Sequence, residues 1–409
     1  VPCTDNPTVS GVTLTHEYLQ LQDTFGFSVA EILKCIDYGF RAAFVSQNMR
    51  KRLRINAFIK SMKILQENNI DISAVIANAS YYAKLGLKVP LEYYPPSLNP
   101  SLNLDIIKKI PKCDLDCRLI GSVPFDLLFE FYQNASEKVL SKLPKFNSKE
   151  ELINYVLAPE EQKHFVKGKN LAIELLQTKE NISKAVKAII EEAYQDKIIY
   201  LELNVCPIYH SKNMSNEEFL DVVIEAVNNA SENKDIRVSI VIYADIKNQT
   251  ILQVNELAKL SVKYQSHGVC GFTTSTSEIK ESEMIYYEPI FDYLRENHIP
   301  VTIYAGESDT KSVPSALIRG HATRISGGFK IAQSESLLSD LTFNNVGVLF
   351  NSSPLMENEV EGWKKSPIRF FYDFGVRLAF CSVNQGFKNK SRSQQIYEIA
   401  EQADRKSVV

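Results

Sequence analysis

Residues Ile198–Val205 read IIYLELNV, a short apolar run with the composition of a buried β-strand. An amphipathic stretch follows at residues 216–228, where apolar residues recur at intervals of three and four, as on one face of an α-helix. A second apolar run at residues 236–243 and a second amphipathic stretch at 252–264 repeat the pattern. This alternation indicates βα units built around a parallel sheet.

Eight such apolar runs lie between residue 104 and the C-terminus, and amphipathic stretches separate them. Eight strands alternating with helices over roughly 300 residues fit a TIM-type (β/α)8 barrel. A doubly wound sheet is the alternative, although no Gly-rich phosphate turn follows the first strand. The predicted strands are Cys113–Leu119, Ile198–Val205, Ile236–Tyr243, Gly268–Phe272, Pro300–Tyr304, Thr323–Ile325, Asn345–Phe350 and Val376–Cys381.

The predicted helices of this region have apolar residues at helical spacing. They are Pro124–Leu140, Ile182–Tyr194, Asn216–Asn228, Leu252–Tyr264, Ile285–Asn297, Val313–Arg319, Ser334–Leu341 and Ser366–Phe374. In either fold, functional side chains are expected just past the C-terminal ends of the strands.

The first seventy residues have a different pattern. They are predicted to form a helical N-terminal segment (1–70), in which Ser28 and Glu31 have the spacing of a capping box. Residues 71–103 contain YYPPSLNP, which cannot lie inside a helix, and are predicted to be a linker. The barrel is therefore assigned to residues 104–409.

The composition is typical of a globular protein, with 44% hydrophobic and 23% charged residues among 409. A net charge of −3 gives no basic field for nucleic acid, and no apolar run approaches the roughly 18 residues that a membrane span needs. The seven cysteines are too few and scattered for a disulfide framework. Together these features predict a cytoplasmic protein without nucleic-acid or membrane partners.

Five short motifs, met in order from about 104 to 402, resemble those of the adenosine deaminase family. Residues 111–122, PKCDLDCRLIGS, resemble its opening strand, Pro-Lys-x-Glu-Leu-His-x-His-Leu-x-Gly-Ser. The others are YLELNVCP at 200–207, YAGE at 304–307 for His-Ala-Gly-Glu, RISGG at 324–328 for Arg-Ile-Gly-His-Gly, and SPIR at 366–369 followed by a Gly-Val pair. The resemblance implies the barrel fold and a zinc-dependent deaminase ancestry.

In that family, zinc supplies a hydroxide by lowering the pKa of bound water. Both first-strand His, the His of His-Ala-Gly-Glu and the first Asp of a Thr-Asp-Asp-Pro motif hold the metal. Carried over residue by residue, these four positions are Asp116, Arg118, Tyr304 and Val383. Arg118 remains protonated and would place a positive charge where the zinc must sit. The resemblance therefore implies a lost zinc site, and no zinc cofactor is predicted.

The remaining catalytic positions are also altered, with one exception. The family His that orients the hydroxide corresponds to Gly327, and the groups that hold the base correspond to Thr276 and Asn384. Glu307 alone keeps its family identity, as the Glu that protonates the purine ring. None of the six histidines is expected to rebuild the site: His16 lies outside the barrel, His164, His210 and His267 are interpreted as loop or surface residues, His298 precedes a strand and His321 ends a helix.

The N-terminal segment resembles the final part of the same family. Cys3-Thr4-Asp5-Asn6 stands 378 residues before Cys381-Ser382-Val383-Asn384, as a tandem duplication would give. Asp5 keeps the zinc-ligand identity that Val383 has lost. Residues 1–70 are therefore either the end of a preceding deaminase copy, which we favour because residues 376–384 already supply an eighth strand, or a segment that folds back onto this barrel.

The leading functional hypothesis is a catalytically inactive, adenosine-deaminase-like pseudoenzyme with a structural, regulatory or nucleoside-binding role. Its expected partners are an active deaminase copy, in the same protein or an oligomer, and a purine nucleoside. The alternative is a purine nucleoside deaminase that converts adenosine to inosine. A third hypothesis is a different small-molecule site, in which Asp116, Arg118, Tyr304 and Glu307 converge, although Arg118 is more simply expected to pair with Asp116 or Glu307.

Overall fold

The computed structural model describes residues 5–6, 13–45, 47–71, 104–157, 163–274, 277–351, 371 and 376–383. Eight parallel strands form a ring, in which each strand pairs with the next along the chain and the last pairs with the first. This confirms the (β/α)8 barrel and excludes the doubly wound sheet. The strands are β1 (Asp5–Asn6), β2 (Lys112–Arg118), β3 (Ile198–Val205), β4 (Arg237–Ala244), β5 (Val269–Thr274), β6 (Val301–Ala305), β7 (Arg324–Gly327), β8 (Gly347–Asn351) and β9 (Arg377–Val383), of which β2–β9 form the ring.

Helices precede the barrel and connect its strands, and the N-terminal segment is helical as predicted. Several begin at a capping box, including the predicted one in which Ser28 accepts a hydrogen bond from the backbone of Glu31. The helices are α1 (Leu14–Asp23), α2 (Val29–Ala42), α3 (Gln47–Glu67), α4 (Leu104–Lys109), α5 (Phe125–Gln133), α6 (Glu137–Leu140), α7 (Lys149–Leu157), α8 (Lys163–Leu175), α9 (Lys179–Gln195), α10 (Asn216–Ser231), α11 (Ile251–Lys263), α12 (Glu281–Glu296), α13 (Ser312–Ile318) and α14 (Glu335–Phe343).

The connection from β2 to β3 is the longest described in the barrel and carries five helices, α5–α9. Two of these, α7 and α8, were not predicted from the sequence. The predicted helix at 366–374, except for residue 371, and the predicted linker beyond residue 71 lie outside the described residues. Among the described helices, none has both the length and the apolar character needed to cross a bilayer.

The N-terminal helices pack against the barrel, where α2 contacts β2 and β9, and the loop after α2 lies at the end opposite the C-terminal mouth. The loop after α2 brings Phe44 beneath the strands, where its backbone N–H donates to Glu202 of β3 over 3.2 Å. The guanidinium of Arg324, the first residue of β7, stacks on the Phe44 ring 3.3 Å from its centroid. Arg324 is also ion-paired with Glu202 at 2.9 Å, and both side chains are almost fully buried. Phe44 therefore covers a buried ion pair at the floor of the barrel.

Candidate functional site

The C-terminal end of β2 carries Asp116 and Arg118, which lie two residues apart and so face the same side of the strand. Both are 5% exposed. The Nε atom of Arg118 lies 3.5 Å from Oδ1 of Asp116, which confirms one of the two predicted ion pairs. The same oxygen accepts a hydrogen bond from the side-chain amide of Asn204 in β3. The carboxylate at the first metal position is thus already paired with an arginine and an asparagine.

The positions of Tyr304, Glu307 and Gly327 form a second group, at the ends of β6 and β7. A Cβ added to Gly327 would lie 3.1 Å from Oε2 of Glu307 and 3.5 Å from the Tyr304 ring. Gly327 has φ +88°, a backbone conformation that histidine adopts only with strain. This position therefore does not favour the family histidine.

Glu307 is partly buried, and its Oε2 atom is fully enclosed without a hydrogen-bond partner among the described residues. Burial and the nearby charge of Glu278 raise the pKa of Glu307 from 4.5 to about 7, against the opposing charge of Lys330. Glu278 is held there because its Oε1 accepts the backbone N–H of Glu307 over 2.6 Å. A carboxyl group with this pKa can hold or release a proton near neutral pH.

The two groups stand on opposite sides of the mouth, because β2 and β6 are four strands apart in the eight-stranded ring. Asp116 and Arg118 interact with residues of β3 and β4, whereas the charges acting on Glu307 come from Glu278 and Lys330. The ion pair between Arg118 and Glu307, the other predicted possibility, is not among the described contacts.

Val383 is the last residue of β9, where its backbone is in register with Cys117 of β2 and with Asn6 of β1. The short strand β1 pairs with the end of β9, so Asp5 lies in register with Ser382. The two copies of the strand-eight motif therefore lie side by side. Thr276 and Asn384 lie outside the described residues.

A zinc ion of the family type does not fit these residues. Structural and catalytic zinc sites use three or four His, Cys, Asp or Glu ligands. Asp116 is such a group, but its neighbour Arg118 is a cation that cannot ligate, and Tyr304 replaces a histidine. Within the described parts of the chain, no three side chains of the ligand-forming types lie close enough together to hold a metal ion.

Sequence reasoning missed a polar cluster on the β2–β4 side of the mouth. Asp245 directly follows β4 and is 2% exposed. Its Oδ2 accepts hydrogen bonds from Lys169 of α8 at 2.5 Å, from the Tyr209 hydroxyl and from Asn248 at 2.8 Å. The position of Asp245 at a strand end was a usable signal, but nothing in the spacing links it to Lys169, which lies 76 residues earlier.

His210 corrects another expectation, because it is fully buried rather than a loop or surface residue. Its ring stacks on Phe219 at 4.6 Å, and Nδ1 lies 2.7 Å from the carbonyl oxygen of Leu176. Burial lowers the pKa of His210 to about 4, so the imidazole is neutral at physiological pH. It is a packed structural residue, and it belongs to neither group of the mouth.

The family model described as adenosine deaminase matches residues 111–405. The chain belongs to the adenosine deaminase family. A probable adenosine deaminase of Dictyostelium discoideum is 29% identical over 443 residues, covering 100% of this chain but 57% of that protein. An adenosine deaminase of Clostridium botulinum strain Okra is 25% identical over 300 residues, which cover 71% of this chain and 86% of that enzyme. The chain thus spans little more than half of the Dictyostelium relative.

Solved structures share the fold at lower identity. The N6-methyl-AMP deaminase of Arabidopsis thaliana superposes with a TM-score of 0.60 at 20% identity, covering 74% of this chain and 88% of that one. The adenine deaminase of Arthrobacter aurescens has a TM-score of 0.58 at 14% identity, covering 69% of this chain and 85% of that one. At these identities, the likeness establishes the barrel fold alone.

Proposed function

We propose that this chain is a non-catalytic member of the adenosine deaminase family, a pseudoenzyme domain that binds a purine nucleoside without deaminating it. The observation that carries the proposal is the buried contact between Arg118 and Asp116 at two of the four metal positions. A guanidinium stays protonated in a protein, so it repels a divalent cation at this place. It also neutralises the carboxylate that zinc would need.

Catalysis is then expected from a companion deaminase copy, in the same protein or in an oligomer. The motif around Asp5, which retains a ligand-type carboxylate, supports the existence of such a copy. The 57% coverage of the Dictyostelium relative is compatible with a longer protein. A cytoplasmic location stays a prediction, in keeping with the described cysteines, which are not joined in disulfides.

The division of the chain into domains is also a proposal. The sequence favours residues 1–70 as the end of a preceding copy, but the contacts of Phe44 with Glu202 and Arg324 support the other interpretation. In that version the segment folds back and supplies closing helices to the barrel at 104–409. The linker at 71–103 would then join two parts of one folding unit.

A second candidate function is deamination of purine nucleosides by this chain itself. Glu307 favours it, because this acid keeps its family identity and has a pKa of about 7, suited to proton transfer. The acid needs an activated water to complete the reaction, and the described residues do not provide a family-type zinc site for one.

Turnover distinguishes the two candidates. Purified full chain is incubated with adenosine, with and without added zinc, and conversion to inosine is followed by absorbance. The expected result is a rate equal to the protein-free blank, unchanged in the Glu307→Gln variant. Zinc-dependent turnover that Glu307→Gln abolishes would establish the deaminase instead, and a variant of exposed Glu296, Glu296→Gln, serves as the matched control.

A further inference from the structure

Two buried oxygen atoms on the β2–β4 side of the mouth lack a hydrogen-bond donor among the described residues. They are Oδ1 of Asn204 and Oδ1 of Asp245, and both residues are 2% exposed. A buried acceptor left without a donor destabilises the folded protein, so each of these oxygens would gain from a donor supplied by a ligand. Each side chain is fixed by its other end, since Asn204 donates to Asp116 and Oδ2 of Asp245 accepts three hydrogen bonds.

The two acceptors are linked through Tyr243 of β4, whose ring is near Arg118 and also near Tyr209. The guanidinium of Arg118 lies 5.8 Å from the centre of the Tyr243 ring. The Tyr243 ring also contacts that of Tyr209 edge-on, with 6.2 Å between the ring centroids, and the Tyr209 hydroxyl donates to Asp245. Burial raises the pKa of Tyr243 well above its ordinary value; the charges of Cys206, Asp245 and Asp116 raise it further, and that of Arg118 lowers it.

The loop that carries Asp245 is held in place independently of Lys169. The backbone N–H of Asp245 donates to Oε1 of Gln249 over 2.9 Å, and Nε2 of Gln249 donates to the thiol sulfur of Cys206 over 3.0 Å. The free oxygen is therefore preorganised, and a ligand that reaches it need not order the loop.

The charges of this region cancel. Burial alone would raise the pKa of Asp245, but the charge and hydrogen bond of Lys169 outweigh it and hold the pKa below the ordinary 3.8. Asp245 is therefore an anion balanced by Lys169, just as Asp116 is balanced by Arg118. This leaves no excess positive charge for a phosphate, whose burial without a cation is costly.

We propose that Asn204 and Asp245 form a recognition pair, whose free oxygens accept hydrogen bonds from the hydroxyl or amino groups of a neutral nucleoside rather than a nucleoside phosphate. The proposal rests on the proposed nucleoside-binding function and assigns it two residues to which the family resemblance gives no role in the sequence analysis. The ligand supplies donors, which both oxygens lack, and it brings no charge into a region that is already neutral.

Calorimetric titration of the full chain tests the pair, with adenosine and AMP as probes. Adenosine is expected to bind at least tenfold more tightly than AMP. Asp245→Asn and Asn204→Leu are each expected to weaken adenosine binding about 10- to 100-fold, the usual effect of losing a hydrogen bond to a charged or buried group. Asp340→Asn, at an exposed position of α14, is the control and should bind as the parent does.

Analogues that lack one donor locate the contact. 2′-Deoxyadenosine, 5′-deoxyadenosine and purine riboside are titrated against the parent and against Asp245→Asn. At least one analogue is expected to bind the parent tenfold or more weakly than adenosine does. The same analogue should lose little affinity for Asp245→Asn, as expected when the missing ligand group contacts Asp245. If a variant fails to fold, the titrations of the parent chain with the three analogues test the proposal by themselves. A loss of affinity below threefold for all three analogues would overturn it.

The outcomes separate this inference from the proposed function. Adenosine binding that neither variant weakens, AMP binding as tightly as adenosine, or no saturable adenosine binding at millimolar concentration would each contradict the recognition pair. Inosine found in the titration cell would contradict the non-catalytic proposal and leave the pair intact. Full support for both proposals requires that the parent binds adenosine, that each of the two variants binds it more weakly, and that no adenosine is converted to inosine.

Discussion

At the scale of the residue, Arg118 has the largest consequence. Its side chain is buried at the end of β2 beside Asp116, in a place where the family motif has histidine. A histidine can be neutral and ligate a metal, but an arginine always brings a charge that a neighbouring acid must balance. Two differences from the family motif together give this strand end an internal ion pair. Arg118 brings the charge, and Asp116, at the other histidine position, is the acid that balances it.

Glu307 shows a second effect at this scale, on stability. Its pKa is about 7 in the folded protein, against an ordinary value of 4.5. Below pH 4.5 the carboxyl is protonated in both the folded and the unfolded chain, so its ionisation does not reduce the unfolding free energy. Between pH 4.5 and about 7 the carboxyl ionises in the unfolded chain but not in the folded one, so about 3 kcal/mol of unfolding free energy is lost, and the loss is complete once the pH has risen through 7.

Glu307→Gln is accordingly expected to remove this pH dependence. The variant should match the parent near pH 4 and exceed its unfolding free energy by about 3 kcal/mol at pH 8. Urea unfolding at intervals across this range measures the difference, with the exposed Glu296→Gln as control. Parallel curves for the parent and Glu307→Gln would show that Glu307 ionises in the folded state as it does in water.

At the scale of the element, the loop after α2 ties the N-terminal helices to the barrel. Phe44 covers the ion pair of Glu202 and Arg324, and a Cβ added to Gly271 of β5 would lie 2.6 Å from its ring. Arg50 of α3 donates to the carbonyl oxygens of Ala43 and Val45, which fixes the loop. The barrel floor thus joins Phe44 of the N-terminal segment to Glu202 of β3, 158 positions later in the chain.

Phe44→Ala is expected to lower the unfolding free energy by about 2–4 kcal/mol, because it leaves a cavity and exposes a buried ion pair. Phe343→Ala removes the same ring from a position that is 86% exposed and should change stability little. Thermal unfolding followed by circular dichroism compares the two. Equal stability of the parent and Phe44→Ala would mean that residues 14–70 are not part of the barrel's folding unit.

The strands could be predicted from the sequence because barrel strands are buried on both faces and form continuous apolar runs. The predicted Ile198–Val205 is β3 without change, and the other strand ends differ by three residues or fewer. Helix α8, KHFVKGKNLAIEL, was missed because its charged residues and Gly168 obscure the apolar face that packs on α5 and α7.

The site was predictable only where its residues are close in sequence. The pair of Asp116 and Arg118 follows from the alternation of a strand, which places both on one face. The hydrogen bond between Asn204 and Asp116 joins residues 88 positions apart, and the one between Lys169 and Asp245 joins residues 76 positions apart. Such contacts depend on how the ring closes and on how α8 covers its mouth, which no local pattern specifies.

At the scale of the whole molecule, the barrel of this member of the adenosine deaminase family has charged side chains on both sides of its mouth. Among the described residues, opposite charges meet on the β2 side, and the protonatable acid Glu307 lies near Glu278 and Lys330 on the β6 side. This arrangement agrees with the proposed function, in which the domain binds a nucleoside and a companion copy performs the chemistry.

The zinc content of the purified full chain tests this account most directly. After dialysis against zinc and then against metal-free buffer, mass spectrometry is expected to find well below one zinc per chain. Calorimetric titration with zinc should show no site tighter than roughly micromolar, far weaker than structural zinc sites in proteins. One tightly held zinc per chain, retained through dialysis and lost in Asp116→Asn, would contradict the central claim that an ion pair has replaced the metal.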